Sequence, residues 1–147
     1  MLINLEKIFI DTSAFYALLD RADPNHKEAS SLWALLMNNN FTLVTSNYVV
    51  SDTMKLLQKK IGYEAAKVWY RDILGILEIL WIDKNIHQKA YELWLTLGMT
   101  PINLVDCASF VTMHHHNIEK VFCFQGHFKT HGFDLIYSND RQVSSME

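Results

Sequence analysis

The chain has 147 residues, half of them hydrophobic, and a formal net charge of -3 at pH 7. A chain of this size fits one globular domain with a sizeable core, so no second domain is needed. The negative balance excludes an overall basic surface of the kind that favours nucleic-acid binding, so any such binding requires a local basic patch.

The two cysteines and the hydropathy pattern indicate a cytoplasmic protein. Cys107 and Cys123 lie in apolar surroundings and far from CxxC spacing, which suits buried thiols in a reducing compartment better than a disulfide framework or a zinc site. Glu6 interrupts the apolar segment that a signal peptide would need, and no run reaches the roughly 18 apolar residues of a membrane span. We therefore expect neither export nor membrane insertion.

The first half of the chain predicts two strands, each followed by helix. A short apolar run at 8–10 is typical of a strand buried on both faces, and 41–45 is rich in Thr and Val. Helices are predicted at 14–19, from Asp23 and Pro24 with an acid at the cap, and at 47–61. In the second of these, apolar residues recur at the spacing of one buried helical stripe.

The second half continues the alternation. Helices are predicted at 63–74, 86–97 and 105–116, the last of them apolar almost all round and therefore central. Strands are predicted at 76–82, 120–124 and 135–137. Strands alternating with helices predict an α/β fold, with a central parallel sheet of about five strands flanked by α-helices. We expect a single domain over 1–137, with 138–147 as a flexible C-terminal tail.

Asp11 ends the first predicted strand. Ligands in open α/β sheets bind beyond the carboxyl ends of the strands, which places this carboxylate where chemistry is expected. The alternative is that Asp11 or Thr12 only caps the following helix, because short polar side chains accept hydrogen bonds from its free N–H groups. Other acids at the same edge would favour the first interpretation.

Two more aspartates are candidates for that edge. Asp52 is the sixth residue of the helix after the second strand, and Asp106 lies in the first turn of the helix before the fourth. For Asp52 the alternative is a solvated helix position. For Asp106 it is a capping box with Asn103, where the helix N-terminus favours an acid.

Three carboxylates in one cleft predict a divalent cation. Each like pair about 4 Å apart costs on the order of 4 kcal/mol at an intermediate dielectric, so the cluster needs a cation or raised pKa values. Ligands that are all oxygen favour Mg²⁺ or Mn²⁺ over zinc. Such ions support phosphodiester hydrolysis by activating water and by stabilising the attacking and leaving oxygens.

Four short motifs stand out along the chain: FIDTSAFYALLD at 9–20, TSNYV at 45–49 with the acid at 52, VDCASF at 105–110, and FCF at 122–124 followed by His127 and Phe128. In these motifs the chain resembles the PIN-domain ribonucleases, and among them the VapC-like toxins of toxin-antitoxin pairs. The similarity extends over about residues 8–133. It implies a five-stranded parallel sheet and a Mg²⁺-dependent endoribonuclease that hydrolyses RNA, often a homodimer and often silenced by a small antitoxin protein.

The resemblance assigns roles residue by residue. Asp11, Asp52 and Asp106 match the catalytic acids that bind Mg²⁺ or Mn²⁺, although Asp52 stands where the family usually has the longer glutamate. Thr12 or Ser13 matches the hydroxyl that helps to hold the site. Asn103, which stands where the family often has a serine, and Gln125 are further positions that support the site.

Gln125 is the main departure from the family pattern, because it occupies the position of a fourth acid. An amide can hydrogen-bond a water or offer a neutral oxygen, but it brings no charge. We expect weaker metal affinity and slow or conditional catalysis. The alternative function is a weakened PIN domain that binds RNA or a protein, and a third is a purely structural partner subunit.

Basic and histidine-rich segments offer further candidates. Lys55 and Lys59 share a helix face with Asp52, and with Arg21 they are predicted to bind RNA phosphates; the alternative is a solvated charged face. The run 114–116 is a solvated helix end, because three consecutive histidines point in three directions. Gly126 and Gly132 are expected to break any helix that would align Cys123, His127 and His131 into a zinc site.

Overall fold

The computed structural model describes residues 5–136, which fold around one parallel sheet of five strands in the order β3-β2-β1-β4-β5. The predicted α/β class with a helix-flanked parallel sheet is confirmed. The strands are β1 Glu6–Ile10, β2 Phe41–Ser46, β3 Glu78–Leu80, β4 Lys120–Phe122 and β5 Asp134–Leu135.

Seven α-helices flank the sheet within the same residues. They are α1 Thr12–Leu19, α2 His26–Met37, α3 Asn47–Lys60, α4 Tyr63–Val68, α5 Lys84–Leu97, α6 Leu104–His115 and α7 His127–Thr130. Among residues 5–136, no helix is both long enough and apolar enough to span a membrane.

The central strand β1 determines where a ligand can bind. Ile8, Phe9 and Ile10 are fully buried, and β1 pairs in parallel with β2 on one side and β4 on the other. The chain builds the sheet outward from β1 to β3 and then returns to β4, so the strand order reverses beside β1. In α/β sheets the crevice at the carboxyl ends of the strands on either side of such a reversal is the usual binding site.

The third strand is much shorter than the sequence predicts. The apolar run at 76–82 favours a strand, but Leu74–Ile76 form a 3₁₀ turn and β3 is limited to Glu78–Leu80. The prediction was wrong at its ends because Ile76 and Trp81 are exposed rather than paired. A short apolar run does not reveal how many of its residues gain a neighbouring strand.

The predicted helix at 63–74 is divided. It starts as α4 and continues as a π-helical turn over Trp69–Ile73. The wider turn accompanies a fully buried Trp69 ring, which packs edge-on against Phe15 at 5.0 Å between centroids. The helical periodicity did not predict this change from an α-helix to a π-helical turn, which accompanies the packing of one large side chain.

Other boundaries differ as well. Helix α2 starts at His26 with Asn25 as N-cap, two residues later than the predicted start at Asp23 and Pro24. Strands β4 and β5 are shorter than predicted, and Tyr137 and the predicted tail at 138–147 lie outside the described residues. Gly126 and Gly132 do not prevent a short helix, because α7 lies between them. A helix of four residues cannot align Cys123, His127 and His131 on one face.

Helix α6 is the central helix that the sequence predicts. Seven of its residues are buried, including the polar Asp106, Ser109 and Thr112, and α6 packs against both α3 and α5. The three histidines at 114–116 are exposed at its end, as predicted. The buried start of α6 therefore lies against α3, which carries Asp52.

Candidate active site

Three different elements bring Asp11, Asp52 and Asp106 to one cleft. Asp11 follows β1, Asp52 lies in the second turn of α3 after β2, and Asp106 lies in the first turn of α6. All three line a cavity of about 350 Å³ at the carboxyl edge of the sheet. The other lining residues are Thr12, Ser13, Tyr16, Asp23, Asn25, Leu56, Asn103, Val105, Phe124 and Gln125.

Asp11 is held by both its backbone and its side chain. Its backbone N–H donates to the Phe122 carbonyl at 3.1 Å, which continues the β1–β4 pairing up to the acid. Its Oδ2 accepts from the Ser13 hydroxyl at 3.2 Å and, weakly, from the Ser13 N–H at 3.5 Å. Asp11 is therefore the N-cap of α1 as well as a lining residue of the cleft.

Burial raises the pKa of the Asp11 carboxyl group. Only 4% of the residue is exposed, and this desolvation, together with the negative charge of Asp106, raises the pKa of Asp11 from 3.8 to about 6. The hydrogen bonds from Thr12 and Ser13 lower the pKa but do not offset burial. A buried carboxylate next to a second one is stabilised by a nearby cation.

Asp106 forms the capping box that the sequence predicts with Asn103. Its N–H donates to Asn103 Oδ1 at 2.8 Å, and its Oδ2 accepts from the Asn103 N–H at 3.1 Å. Desolvation raises the pKa of Asp106; Asn103 and His127 lower it, and the charge of Asp52 raises it further. The cap and the cleft are thus compatible uses of one side chain.

Asp52 is held less firmly than the other two acids. It is half-buried, and its Oδ2 accepts from the Thr12 hydroxyl at a long 3.5 Å. Thr12 in turn lies 3.0 Å from the hydroxyl of the buried Thr53, which connects α1 to α3 below the cleft. A carboxylate with one weak partner is free to adjust to a ligand.

Ser13 connects Asp11 to the loop after β4. While its hydroxyl donates to Asp11, the same oxygen accepts from the Phe124 N–H at 3.0 Å. The next residue, Gln125, is exposed at the rim of the cleft, and its carbonyl accepts from the Cys123 thiol at 3.5 Å. Burial, and then the charges of the nearby acids, raise the pKa of Cys123 to about 12, so this thiol is inert and neutral.

The donor atoms around the cleft fit a hard cation. Among residues 5–136, no three His, Cys, Asp or Glu side chains form a closed metal-binding group. The three carboxylates share a wall of one cavity without converging that tightly. Mg²⁺ keeps several waters and is usually bound through one or two carboxylates, so an open set of oxygen ligands suits it better than a closed cage.

A sequence comparison identifies the family. The profile of the PIN domain matches residues 8–147. The chain belongs to the PIN domain family. The resemblance to VapC-like PIN-domain ribonucleases is thereby confirmed, and the four motifs contribute the lining of the cleft.

Two relatives of this PIN domain are named ribonucleases. The 23S rRNA-specific endonuclease VapC20 of Mycobacterium tuberculosis is 29% identical over 127 residues, which cover 86% of this chain and 95% of VapC20. Ribonuclease VapC1 of Aquifex aeolicus is 31% identical over 90 residues, which cover 61% of this chain and 62% of VapC1.

Solved structures resemble the PIN domain along most of its length. The crystal structure of M. tuberculosis VapC20, described as a Sarcin-Ricin loop cleaving toxin, superposes with a TM-score of 0.78 over 86% of this chain and 96% of VapC20. VapBC2 from Rickettsia felis, bound to a promoter DNA fragment, gives a TM-score of 0.66 over 88% and 96% at 15% identity, which supports the fold alone.

The predicted phosphate-binding cations lie outside the cleft of the PIN domain. Lys55 and Lys59 are exposed on α3, and Arg21 is exposed after α1; none of the three lines the cavity. Asp52 and Leu56 of α3 do line it, so Lys55, which lies between them in the chain, is on a part of the helix that borders the cleft. Their role in RNA binding stays a prediction.

Six lining residues of the cleft were not predicted from the sequence. Leu56 and Val105 neighbour predicted positions on their helices, so helical spacing from Asp52 and the motif around Asp106 could have identified them. Tyr16 and Phe124 lie inside quoted motifs, but without an indication that they face the cleft. Asp23 and Asn25 come from the turn between α1 and α2, for which the sequence offered only the signal of a helix start.

A larger cavity, of about 700 Å³, lies at the opposite edge of the sheet. Its lining includes Glu6, Lys7 and His116 but none of the three aspartates. It lies at the amino ends of β1 and β2, where α/β sheets do not usually place ligands. We therefore assign the site by its chemistry and its place in the fold rather than by cavity size.

Proposed function

We propose that this PIN domain is a metal-dependent endoribonuclease that hydrolyses RNA phosphodiester bonds. The observation that supports the proposal most is the meeting of Asp11, Asp52 and Asp106 in one cleft beside the strand-order reversal. Two of these acids have raised pKa values, as expected of carboxylates that a cation would stabilise. Relatives named ribonucleases support RNA as the substrate.

In this proposal Asp11, Asp52 and Asp106 would hold Mg²⁺ or Mn²⁺. Such an ion activates a water molecule and stabilises charge on the phosphate. The chain itself supplies positioning. Ser13 orients the Asp11 carboxylate, and Asn103 orients that of Asp106.

We further propose that the domain is the toxin of a toxin-antitoxin pair, acting as a homodimer and silenced by a small antitoxin protein. The description of VapC20 as a toxin supports the first part. Exposed apolar side chains offer surface for partners, among them Tyr63 and Tyr70, and Trp94, Leu95 and Met99, which line one shallow cavity. Light scattering of the purified chain, alone and with the product of any small adjacent reading frame, tests both interactions.

The test of the nuclease proposal is cleavage of purified 23S rRNA and of an unrelated structured RNA with Mg²⁺ or Mn²⁺. We expect the wild type to cut and Asp11→Asn to lose at least about a hundredfold in rate. Asp72→Asn, the same change at an exposed residue on the π-helical turn, serves as the matched control and should cut like wild type. Equal rates for wild type and Asp11→Asn, or no cutting by either, would refute the proposal.

A second candidate is a PIN domain that binds RNA or protein without turnover. The observation in its favour is Gln125, an exposed amide at the rim where the family places an acid. This candidate predicts RNA binding that a chelator does not change. It also predicts that Gln125→Asp creates cleavage that the wild type lacks.

A further inference from the structure

One wall of the cleft consists of residues that have no role in the proposed metal site. Tyr16 of α1, and Asp23 and Asn25 of the turn before α2, line the same cavity of about 350 Å³ as the three acids. We call these three residues the α1–α2 wall. A cavity of this volume is at the small end of ligand pockets, so a phosphate at the acids leaves space beside it for about one attached group.

The α1–α2 wall is held in place before any ligand binds. The Tyr16 hydroxyl donates to the Asp20 carboxylate, which fixes the tyrosine ring. The Asp23 N–H donates to the Asp20 carbonyl at 3.0 Å, and Asp23 Oδ1 accepts from the Asn25 N–H at 2.8 Å. The wall is therefore a preorganised surface rather than a loose turn.

Polar groups on this wall are left without partners. Within residues 5–136, Asp23 Oδ2 makes no hydrogen bond, and the Asn25 side chain, although at the N-cap position of α2, makes no capping bond. Both residues are half-buried. The Asp23 carboxylate also lies near the tyrosine, since its charge is one of the lesser causes, after Asp20, of the raised pKa of Tyr16.

We propose that the α1–α2 wall binds one unpaired RNA base next to the scissile phosphate, and that it prefers guanine. The proposal rests on the nuclease function above. RNA-binding proteins stack unpaired bases on aromatic rings and read the Watson–Crick edges by hydrogen bonds. Tyr16 supplies the ring, the Asp23 carboxylate accepts only, and the Asn25 amide donates or accepts.

Guanine fits this set because two N–H donors, N1–H and the N2 amino group, lie side by side next to the O6 acceptor. The two donors match the acceptor-only carboxylate of Asp23, and O6 matches the amide N–H of Asn25. Inosine keeps N1–H and O6 but lacks the amino group. Comparing guanosine with inosine therefore isolates the hydrogen bond from the N2 amino group to the Asp23 carboxylate.

The test measures binding on an Asp11→Asn background with Mg²⁺ present, so that the result does not depend on cleavage. The probes are fluorescent single-stranded oligoribonucleotides that carry guanosine, inosine, adenosine or uridine at one central position. With Asp23 intact we expect about tenfold tighter binding of guanosine than of inosine. With Asp23→Asn added, which keeps the oxygen that accepts from Asn25, the two affinities should agree within about twofold.

Two further variants separate the contributions. Asp72→Asn on the same background should keep the guanosine preference, because Asp72 is exposed and absent from the cleft. Tyr16→Leu should weaken the binding of all four oligonucleotides by about tenfold. The ratios between their affinities should stay unchanged, since stacking on an aromatic ring is tolerant of sequence. An unchanged preference after Asp23→Asn, or no preference with Asp23 present, overturns the proposal. A preference that depends on Asp23 in a protein that never cuts RNA upholds it and refutes the nuclease function instead.

Discussion

Asp11 and Asp106 each cap a helix and line the cleft at the same time. Asp11 Oδ2 accepts from the Ser13 N–H in the first turn of α1, and Asp106 Oδ2 completes the capping box of α6 by accepting from the N–H of the N-cap residue Asn103. The second oxygen of each remains available to a ligand. The capping alternative that the sequence raised at both positions is therefore correct and does not exclude a functional role.

The raised pKa of Asp11 predicts a pH-dependent stability in the absence of divalent ions. Because the folded protein binds this proton more tightly than the unfolded chain, folding is favoured at low pH, and stability falls as the pH rises from 3.8 to about 6. The loss at neutral pH amounts to about 3 kcal/mol. Asp11→Asn, which is always neutral, should remove this dependence and be more stable than wild type at pH 7.

Urea unfolding of both proteins in EDTA, at several values between pH 4 and 7, measures the effect. Adding Mg²⁺ at pH 7 should stabilise the wild type and leave Asp11→Asn almost unchanged, since only the wild type offers the ion this carboxylate. If the two proteins instead keep the same difference in unfolding free energy from pH 4 to 7, Asp11 does not titrate in this range.

Gln125 is predicted to weaken metal binding, because it brings no charge to the rim of the cleft. Replacing it by aspartate adds a negative charge at the rim of the cleft, so the variant should need about tenfold less Mg²⁺ for half-maximal cleavage. Gln125→Asn has the length of aspartate without its charge and is the matched control. Equal Mg²⁺ requirements for the two variants would show that charge at position 125 does not control metal affinity.

At the scale of elements, the start of α6 determines the orientation of Asp106. Asn103→Ala removes the side chain that accepts from the Asp106 N–H and should cost about 1 kcal/mol of stability. It should also reduce cleavage, because the Asp106 backbone is no longer fixed. Asn103→Ser keeps a capping oxygen and should retain both properties.

Thermal unfolding and initial cleavage rates measure the two effects for the Asn103 variants. A full loss of activity in Asn103→Ser, with unchanged stability, would instead assign the amide a direct role at the substrate. The sequence predicted this cap because capping depends on residues three apart in the chain. The π-helical turn at Trp69 was not predictable in this way, because it accompanies packing against Phe15, which is distant in sequence.

At the scale of the whole molecule, the proposed RNA substrate would approach a protein of net charge -3. Replacing both Lys55 and Lys59 by alanine should weaken RNA binding and reduce the slope of log affinity against log salt by about 0.7 per lost phosphate contact. The matched control replaces Lys84 and Lys89, which are exposed on α5, a helix that contributes no residue to the cleft. A salt slope that the α3 double variant leaves unchanged would exclude these lysines from the RNA interface.

The predicted parts of the fold depend on local patterns. The buried run at 8–10 and the central helix α6 were identified correctly because burial on all sides requires unbroken apolar stretches, which the sequence displays directly. Strand ends at 76–82 and 120–124 were wrong because strand length depends on partners elsewhere in the sheet. Tyr16, Asp23 and Asn25 were not recognised as part of the cleft, because their position beside the acids also depends on packing between distant parts of the chain.

The sequence by itself determined the α/β class and the family and supplied the three candidate acids, because strand and helix periodicities and short motifs are properties of neighbouring residues. Only the tertiary structure decided that Asp11, Asp52 and Asp106 share a cleft, that Lys55 and Lys59 do not line it, and that the turn between α1 and α2 contributes to its lining. These facts depend on the packing of α1, α3 and α6 around the end of β1. Distances between residues far apart in the chain arise from that packing and leave no periodic signal in the sequence.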